Sequence, residues 1–156
     1  MIQDKRQIRI NASREKVFDL IETMPNKFPV HNLMEIKPFF FLRLLLVDGL
    51  RGACEAVSIK NRGGELMVKN GESMGPFRLA EYEKPSKYWF NLRSLFFKCG
   101  TGYTLNGREN FTILSLDLIA ENPGVMEKAW WVLFKPFHVL FAQKALRVIK
   151  ANVENQ

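Results

Sequence analysis

The sequence predicts an α+β domain in which an antiparallel sheet is followed by one long helix. The first observation is a series of short strand-like segments between residues 65 and 120, separated by turn signals. The second is a helical spacing of apolar residues from 123 to 153, the longest such pattern in the chain. With 156 residues, the chain is long enough for one domain, residues 1–156, with its own apolar core.

The C-terminal helix is predicted from its capping residues and its apolar spacing. Asn122 is the predicted N-cap, and Pro123 suits the first helical position, where a missing N–H costs nothing. About 30 residues of helix span roughly 45 Å, which requires a large partner surface, and the preceding strands are the candidate. One wide buried stripe is predicted from Met126, Trp130, Leu133, Phe137, Leu140, Phe141, Ala145, Val148 and Ile149.

A strand and a shorter helix are predicted near the start of the chain. Residues 5–10 alternate polar and apolar side chains, which is typical of a strand. Ser13 is the predicted N-cap of the following helix, and Pro25 is predicted to end it. The spacing of four apolar residues predicts its buried face, which consists of Val17, Leu20, Ile21 and Met24.

The middle of the chain contains the remaining predicted elements. Asn70-Gly71 and Asn106-Gly107 are turn signals, and short turns between strands indicate an antiparallel meander. The apolar segment 38–47 is predicted to be helical, whereas residues 33–60 as a whole fit a lid, strands or a core helix. Strands are predicted at 55–60, 65–69, 76–83, 87–95, 98–105 and 110–120.

Composition and charge restrict the predicted partners. The net charge is +7, but the basic residues are scattered and no nucleic-acid motif is present, so no nucleic-acid partner is predicted. The charge fits contact with an anionic membrane surface or an acidic ligand, and a basic surface that is simply solvated is the alternative. Cys54 and Cys99 match no metal or redox pattern, and neither a metal site nor a cofactor is predicted. The sequence opens without an apolar signal region, so a cytoplasmic location is expected.

The segment IRINASREKVFDLIETM resembles the opening of the START-like, helix-grip superfamily, in which a strand runs through a small-residue turn into a helix. The matching residues are Ile8, Ile10, Ala12, Val17 and Phe18. This superfamily includes the lipid-transfer START domains, the plant pollen-allergen family and the polyketide cyclase/dehydrases. The long C-terminal helix also matches, whereas residues 33–60 depart from the family's usual second and third strands. The resemblance implies a helix-grip fold, with a curved antiparallel sheet wrapped around the long helix.

The resemblance also implies an apolar cavity between sheet and helix, where members of the superfamily mostly bind apolar or amphipathic ligands. Strand alternation indicates which strand residues would face this cavity, because successive side chains point to opposite faces. They are Phe77, Leu79, Phe90, Leu92, Tyr103, Leu114 and Leu116. The helix is predicted to contribute Trp130, Phe134, Phe137, His138 and Phe141.

Three functions follow from this interpretation. The leading hypothesis is binding of a hydrophobic small molecule or lipid, with His138 and Tyr103 fixing its orientation; a histidine with a purely structural role is the alternative for His138. The second is a cyclase/dehydrase-type enzyme acting on a hydrophobic substrate, although no catalytic motif identifies its residues. The third is a membrane-surface or protein-interaction module, peripheral to the bilayer and carried by the aromatic, basic C-terminal helix and the apolar segment 39–46. Ligand identity, catalysis and oligomeric state are left open.

Overall fold

The helices and strands come from both ends of the chain. The computed structural model describes residues 1–27, 45, 50, 73–74, 77–93, 97–108 and 110–155. The elements are β1 (Ile2–Ile10), α1 (Arg14–Lys27), β2 (Ser73–Met74), β3 (Phe77–Glu83), β4 (Lys87–Arg93), β5 (Lys98–Arg108), β6 (Phe111–Ala120) and α2 (Val125–Glu154). Of the predicted helix at 38–47 only Leu45 is described, and it is helical. The strands predicted at 55–60 and 65–69 and the Asn70-Gly71 turn lie outside the described residues.

In the described part of the chain, six strands form one antiparallel sheet in the order β1-β6-β5-β4-β3-β2. Strands β3 to β6 follow one another as the predicted meander, and β1 joins the sheet beside β6, from Ile2 opposite Ala120 to Ile10 opposite Thr112. Helix α2 packs mainly against β1 and also contacts β6 and α1. The prediction of an α+β helix-grip fold, with an antiparallel sheet and a long C-terminal helix, is therefore confirmed.

The turn predicted at Asn106-Gly107 is wrong, because both residues lie inside β5. That strand continues to Arg108, which pairs with Phe111 in β6. Gly107 pairs with Thr112, and a Cβ atom at position 107 would collide with the Phe111 carbonyl oxygen. The glycine is therefore required by the close approach of the two backbones, and the change of direction follows Arg108.

Helix α1 begins where the sequence predicts and ends later. Ser13 is its N-cap, since its side-chain oxygen accepts a hydrogen bond from the Lys16 N–H at 3.3 Å. Pro25 does not end the helix, which continues to Lys27. Proline removes one backbone donor and crowds the preceding turn. Because Pro25 lies close to the end of α1, only the end of the helix is affected.

The Ser13→Ala variant is expected to lower the free energy of unfolding by about 1 kcal/mol, because the Lys16 N–H loses its acceptor. Urea unfolding followed by circular dichroism measures the change. Ser13→Asp keeps an acceptor at the same position and is expected to stay close to the wild type. A loss of equal size in both variants would contradict the capping role.

Helix α2 differs from its prediction in its cap and in its buried face. Its N-cap is Gly124 rather than Asn122, and the Gly124 N–H donates to the Glu127 carboxylate at 2.7 Å. The predicted stripe is confirmed at Ala145 and Ile149, which are buried. It is wrong for three residues that are exposed, namely Met126, Leu133 and Leu140. The buried residues are Trp131, Phe134, His138, Ala142, Ala145, Leu146, Ile149 and Val153.

Two apolar clusters lie between the sheet and the helices. The first cluster includes Phe18 from α1, Leu114 from β6 and Ile149 from the C-terminal half of α2. The second cluster includes Phe97, before β5, and Trp131 from the N-terminal half of α2. The helix thus covers the sheet along its length, with a different set of side chains in each half. Among the described helices, neither combines the length and the apolar character needed to cross a membrane.

Candidate functional site

The predicted strand residues of the site share one face of the sheet. Residues that lie directly opposite each other in an antiparallel pair point to the same side. The register places Leu79 opposite Phe90, and Tyr103 opposite Leu116. We call this side, which also carries Asp4, Arg6, Leu92 and Leu114 and on which α2 packs, the inner face. The backbone of Phe77 pairs with Leu92, and its side chain lies outside what the structure describes.

The predicted helix residues lie on or beside the buried side of α2. Phe134 and His138 are buried, whereas Trp130, Phe137 and Phe141 are half-buried. The Trp130 ring stacks on Phe134, with 4.5 Å between the ring centroids. The site residues are divided between the two apolar clusters, however, so they do not form one continuous patch. Leu79, Phe90, Tyr103, Leu114 and Leu116 belong to the first cluster; Leu92, Trp130, Phe134 and Phe137 belong to the second.

A group of polar side chains, the Asp4–Arg6–His138 cluster, connects β1 to α2; Asp4 and His138 are buried and Arg6 is partly exposed. The Nδ1 atom of His138 is 3.2 Å from the Asp4 Oδ2 atom, and both side chains are about 95% buried, with exposures of 4% and 5%. The Arg6 guanidinium donates to both carboxylate oxygens, from Nε to Oδ2 at 3.1 Å and from Nη2 to Oδ1 at 2.6 Å. The carboxylate thus receives two donors from Arg6 and faces the imidazole, as a buried charge requires.

This polar cluster lies at the junction of the two apolar clusters. On β1, Asp4 lies between Ile2 of the second cluster and Ile10 of the first. On α2, His138 lies between Phe134 of the second cluster and Ala142 of the first. The His138 ring packs beside the rings of Trp131 and Phe134, at centroid distances of 5.5 and 6.0 Å. A ligand group at this point would therefore find polar partners with apolar surface on either side.

The charges within the cluster stabilise the ionised carboxylate. Burial by itself would raise the pKa of Asp4, but the hydrogen bond from Arg6 and the charges of His138 and Arg6 outweigh it and hold the pKa below its ordinary value. The Asp4 carboxylate in turn raises the pKa of the Arg6 guanidinium. An ionised Asp4 accepts a hydrogen bond only if Nδ1 of His138 carries the proton. In the neutral ring, Nε2 is then the hydrogen-bond acceptor and the potential base.

Tyr103 lies on the same face as the polar cluster but not beside it. It pairs with Leu116, which in turn pairs with Arg6, so strand β6 separates the tyrosine from the arginine. Two strand spacings place their backbones about 10 Å apart. A small polar head group would therefore contact either Arg6 and His138 together or Tyr103 alone. A longer ligand with two polar groups would reach both places.

Comparison with known proteins gives one structural match. No protein-family model matches the sequence, and no curated protein matches it significantly. A crystal structure of Ara h 8.0201 is similar over 99% of both chains, with 9% sequence identity and a TM-score of 0.43. The fold assignment rests on this chain's own strand order and its long C-terminal helix.

Sequence reasoning missed Asp4 and Arg6. The predicted first strand began at residue 5, whereas β1 begins at Ile2 and places Asp4 and Arg6 at inner positions. The available signal was the alternation itself: Ile2, Asp4, Arg6, Ile8 and Ile10 occupy one face, with two charged residues between apolar ones. Charged side chains at inner positions require partners, and that requirement points to a site. Within the described residues, no three Cys, His, Asp or Glu side chains are grouped closely enough to hold a metal ion.

Proposed function

We propose that this chain is a START-like domain that binds a hydrophobic or amphipathic small molecule, or a lipid, between the inner face of the sheet and α2. The observation that carries this proposal is the Asp4–Arg6–His138 cluster, in which Asp4 and His138 are buried where the two apolar clusters meet. Ligand sites in proteins commonly combine an apolar lining with a few placed polar groups that fix orientation.

Stability alone gives little reason for such a cluster. Burying charged groups costs several kcal/mol per ion in desolvation, roughly offset by their mutual attraction, and apolar replacements of similar volume are often equally stable. Aspartate, arginine and histidine nevertheless occupy positions whose neighbours on the same face of β1 or α2 include isoleucine, phenylalanine and alanine. A role in recognising the polar group of a ligand accounts for this choice.

The proposed binding mode assigns a part to each residue predicted to line the site. The polar group of the ligand contacts His138 and Arg6, and a second polar group, where the ligand carries one, contacts Tyr103. The apolar body packs on the aromatic and aliphatic residues of the inner face and helix, namely Phe77, Leu79, Phe90, Leu92, Leu114, Leu116, Trp130, Phe134, Phe137 and Phe141. Burial of apolar surface supplies most of the affinity, at about 25 cal/mol per Å².

The first test is to extract the purified protein in its native state and identify any co-purified molecule by mass spectrometry. A dansyl-labelled fatty acid then serves as a probe with one polar head and one apolar chain, and its fluorescence reports binding. The His138→Phe variant, which keeps an aromatic ring, is expected to bind this probe about tenfold more weakly, because the head group loses one hydrogen bond or ionic contact.

Two further variants sharpen this result. Tyr103→Phe removes only a hydroxyl group, and its effect shows whether the head group reaches that far. Gln143→Ala changes an exposed residue of α2 and is expected to bind like the wild type. If no molecule co-purifies and the probe does not bind, the proposed function is wrong. If the probe binds equally to all variants, binding stands and the orienting role of His138 is wrong.

One observation favours a second function, a cyclase/dehydrase-type enzyme. The carboxylate of Asp4 near Nδ1 of His138 is the arrangement that orients an imidazole as a general base, acting through Nε2. If a hydrophobic substrate is turned over, His138→Ala is expected to abolish most of the activity. Unchanged turnover in this variant would exclude His138 as the base.

A further inference from the structure

The N-terminal half of α2 has an apolar face that the described residues of the chain leave exposed. Val125, Met126, Val132, Leu133 and Leu140 are between 60% and 82% exposed. Isolated apolar residues on a surface are ordinary, whereas a contiguous set on one element indicates an interaction surface.

The helical geometry makes these residues contiguous. With about 3.6 residues per turn, the residues from Val125 to Leu140 cover about 24 Å of helix. The five exposed residues fall within an arc of about 120°, on the side opposite Phe134 and His138. Ala129 and Pro136, which are also exposed, lie in the same arc. We call this set the outer stripe; its members are Val125, Met126, Ala129, Val132, Leu133, Pro136 and Leu140.

The charges around the outer stripe are basic. Lys128 and Lys135 are exposed and border one side of it. Lys144 and Arg147 lie further along α2, on the same side as the outer stripe. In the described helix the acidic residues are Glu127, which caps the first turn, and Glu154, at the other end. The whole chain carries a net charge of +7, so its field also favours a negatively charged partner.

We propose that the outer stripe docks on the surface of an anionic lipid bilayer, with α2 lying parallel to the membrane plane. Helices that lie at a bilayer interface insert an apolar face into the acyl boundary, while flanking Lys and Arg side chains contact anionic head groups. The outer stripe and its bordering lysines meet both requirements. A second copy of the chain is the poorer fit, because docking two such faces would bring like charges together. The proposal does not depend on ligand binding at the inner face.

Co-sedimentation with vesicles tests this docking. The full chain is mixed with vesicles of phosphatidylcholine alone or of phosphatidylcholine with phosphatidylglycerol, in low and in high salt. Binding is expected only with the phosphatidylglycerol vesicles, and it is expected to weaken in high salt, because ions screen the attraction between lysine and lipid. Absence of binding to both vesicle types would overturn the proposal.

Two double variants separate the apolar and the ionic contributions. Val132→Glu/Leu133→Glu places charge within the outer stripe and is expected to reduce vesicle binding at least about tenfold. Lys128→Glu/Lys135→Glu keeps the outer stripe but reverses the charge of the two residues beside it. Vesicle binding is expected to fall about tenfold or more. The matched control Lys16→Glu/Arg108→Glu changes the net charge by the same amount at exposed sites away from α2. An equal loss in this control would show that only net charge matters and would overturn the docking site.

Light scattering after size exclusion tests whether a second copy of the chain, rather than a lipid bilayer, occupies this face. A monomer at all concentrations, together with vesicle binding, supports lipid docking. A dimer that the Val132→Glu/Leu133→Glu variant dissociates would identify a second copy as the occupant instead. Fatty-acid probe binding by the same variant is expected to equal that of the wild type, so a failure of membrane docking and a failure of ligand binding are measured separately.

Discussion

The Asp4→Ala variant is expected to lose about 3 kcal/mol of unfolding free energy, because it leaves His138 and Arg6 without their carboxylate partner. Removing one member of a buried charged pair costs about 3 to 5 kcal/mol in general. The lower end applies here, since the Arg6 side chain is 30% exposed and water can solvate part of its charge. Urea unfolding of the wild type and the variant measures the difference.

A double-mutant cycle tests the origin of this loss. In the His138→Phe background the histidine no longer needs a partner, so Asp4→Ala is expected to cost less there than in the wild type. Equal costs in the two backgrounds would mean that the pair is not coupled, and the cluster would then lose its place in the proposed site.

The same carboxylate makes stability depend on pH. Because the folded state holds the pKa of Asp4 below the ordinary value of 3.8, ionised Asp4 stabilises the fold above about pH 4. This contribution is lost as the pH falls below that value and through the folded pKa. The stability difference between the wild type and Asp4→Asn is therefore expected to be largest near neutral pH and to disappear in strong acid. Glu121→Gln, which removes a charge on the exposed surface, is the control for net charge.

The Phe18→Ala variant is expected to be destabilised by about 4 kcal/mol, through lost apolar burial and the cavity that it leaves. Phe18 is fully buried in the first cluster, where its ring meets Tyr82 edge-on at 5.6 Å and Tyr88 at 6.1 Å between centroids. Its ring connects α1 to β3 and β4, the strands that carry the two tyrosines. Thermal unfolding and near-ultraviolet circular dichroism of the tyrosines report the change.

Two variants serve as controls for this prediction. Phe18→Leu keeps most of the volume and is expected to cost less than about 1.5 kcal/mol. Leu20→Ala removes a partly buried residue from the same helix, and its effect is expected to be clearly smaller than that of Phe18→Ala. If Leu20→Ala proved as costly, α1 would depend on general helix packing rather than on the Phe18 contact.

Local patterns predicted the sheet because strand alternation and short turns are local properties. The inner positions of β3 to β6 followed directly from alternation, including Leu79, Phe90 and Tyr103. The Asn106-Gly107 error has a physical cause: glycine serves both in turns and where two backbones approach closely, and the sequence does not distinguish these uses. The N-cap of α2 was predicted at Asn122 but lies at Gly124. The Glu127 carboxylate accepts a hydrogen bond from the Gly124 N–H, so the first turn is capped without Asn122.

The buried face of α2 could not be assigned from periodicity alone. Its N-terminal half is apolar on two sides, so Trp131 and Phe134 on one side and Leu133 and Leu140 on the other give competing stripes. Burial was decided by the partner surface, where the rings of Phe97 and Trp131 stack at 5.8 Å. The polar cluster escaped prediction for a related reason, since Asp4 and His138 are 134 positions apart and meet only in the complete fold.

The position of β1 also determines when this chain can complete its fold during synthesis. Residues of β1 are made before their hydrogen-bonding partner β6 and before α2, the helix that covers them. Until both have emerged, Ile8 and Ile10 have no apolar surface from β6 or α2 to cover them. Such pairing between distant segments slows folding, and it leaves the nascent chain open to aggregation. Folding of β1 is therefore expected to finish only after β6 and α2 have been made.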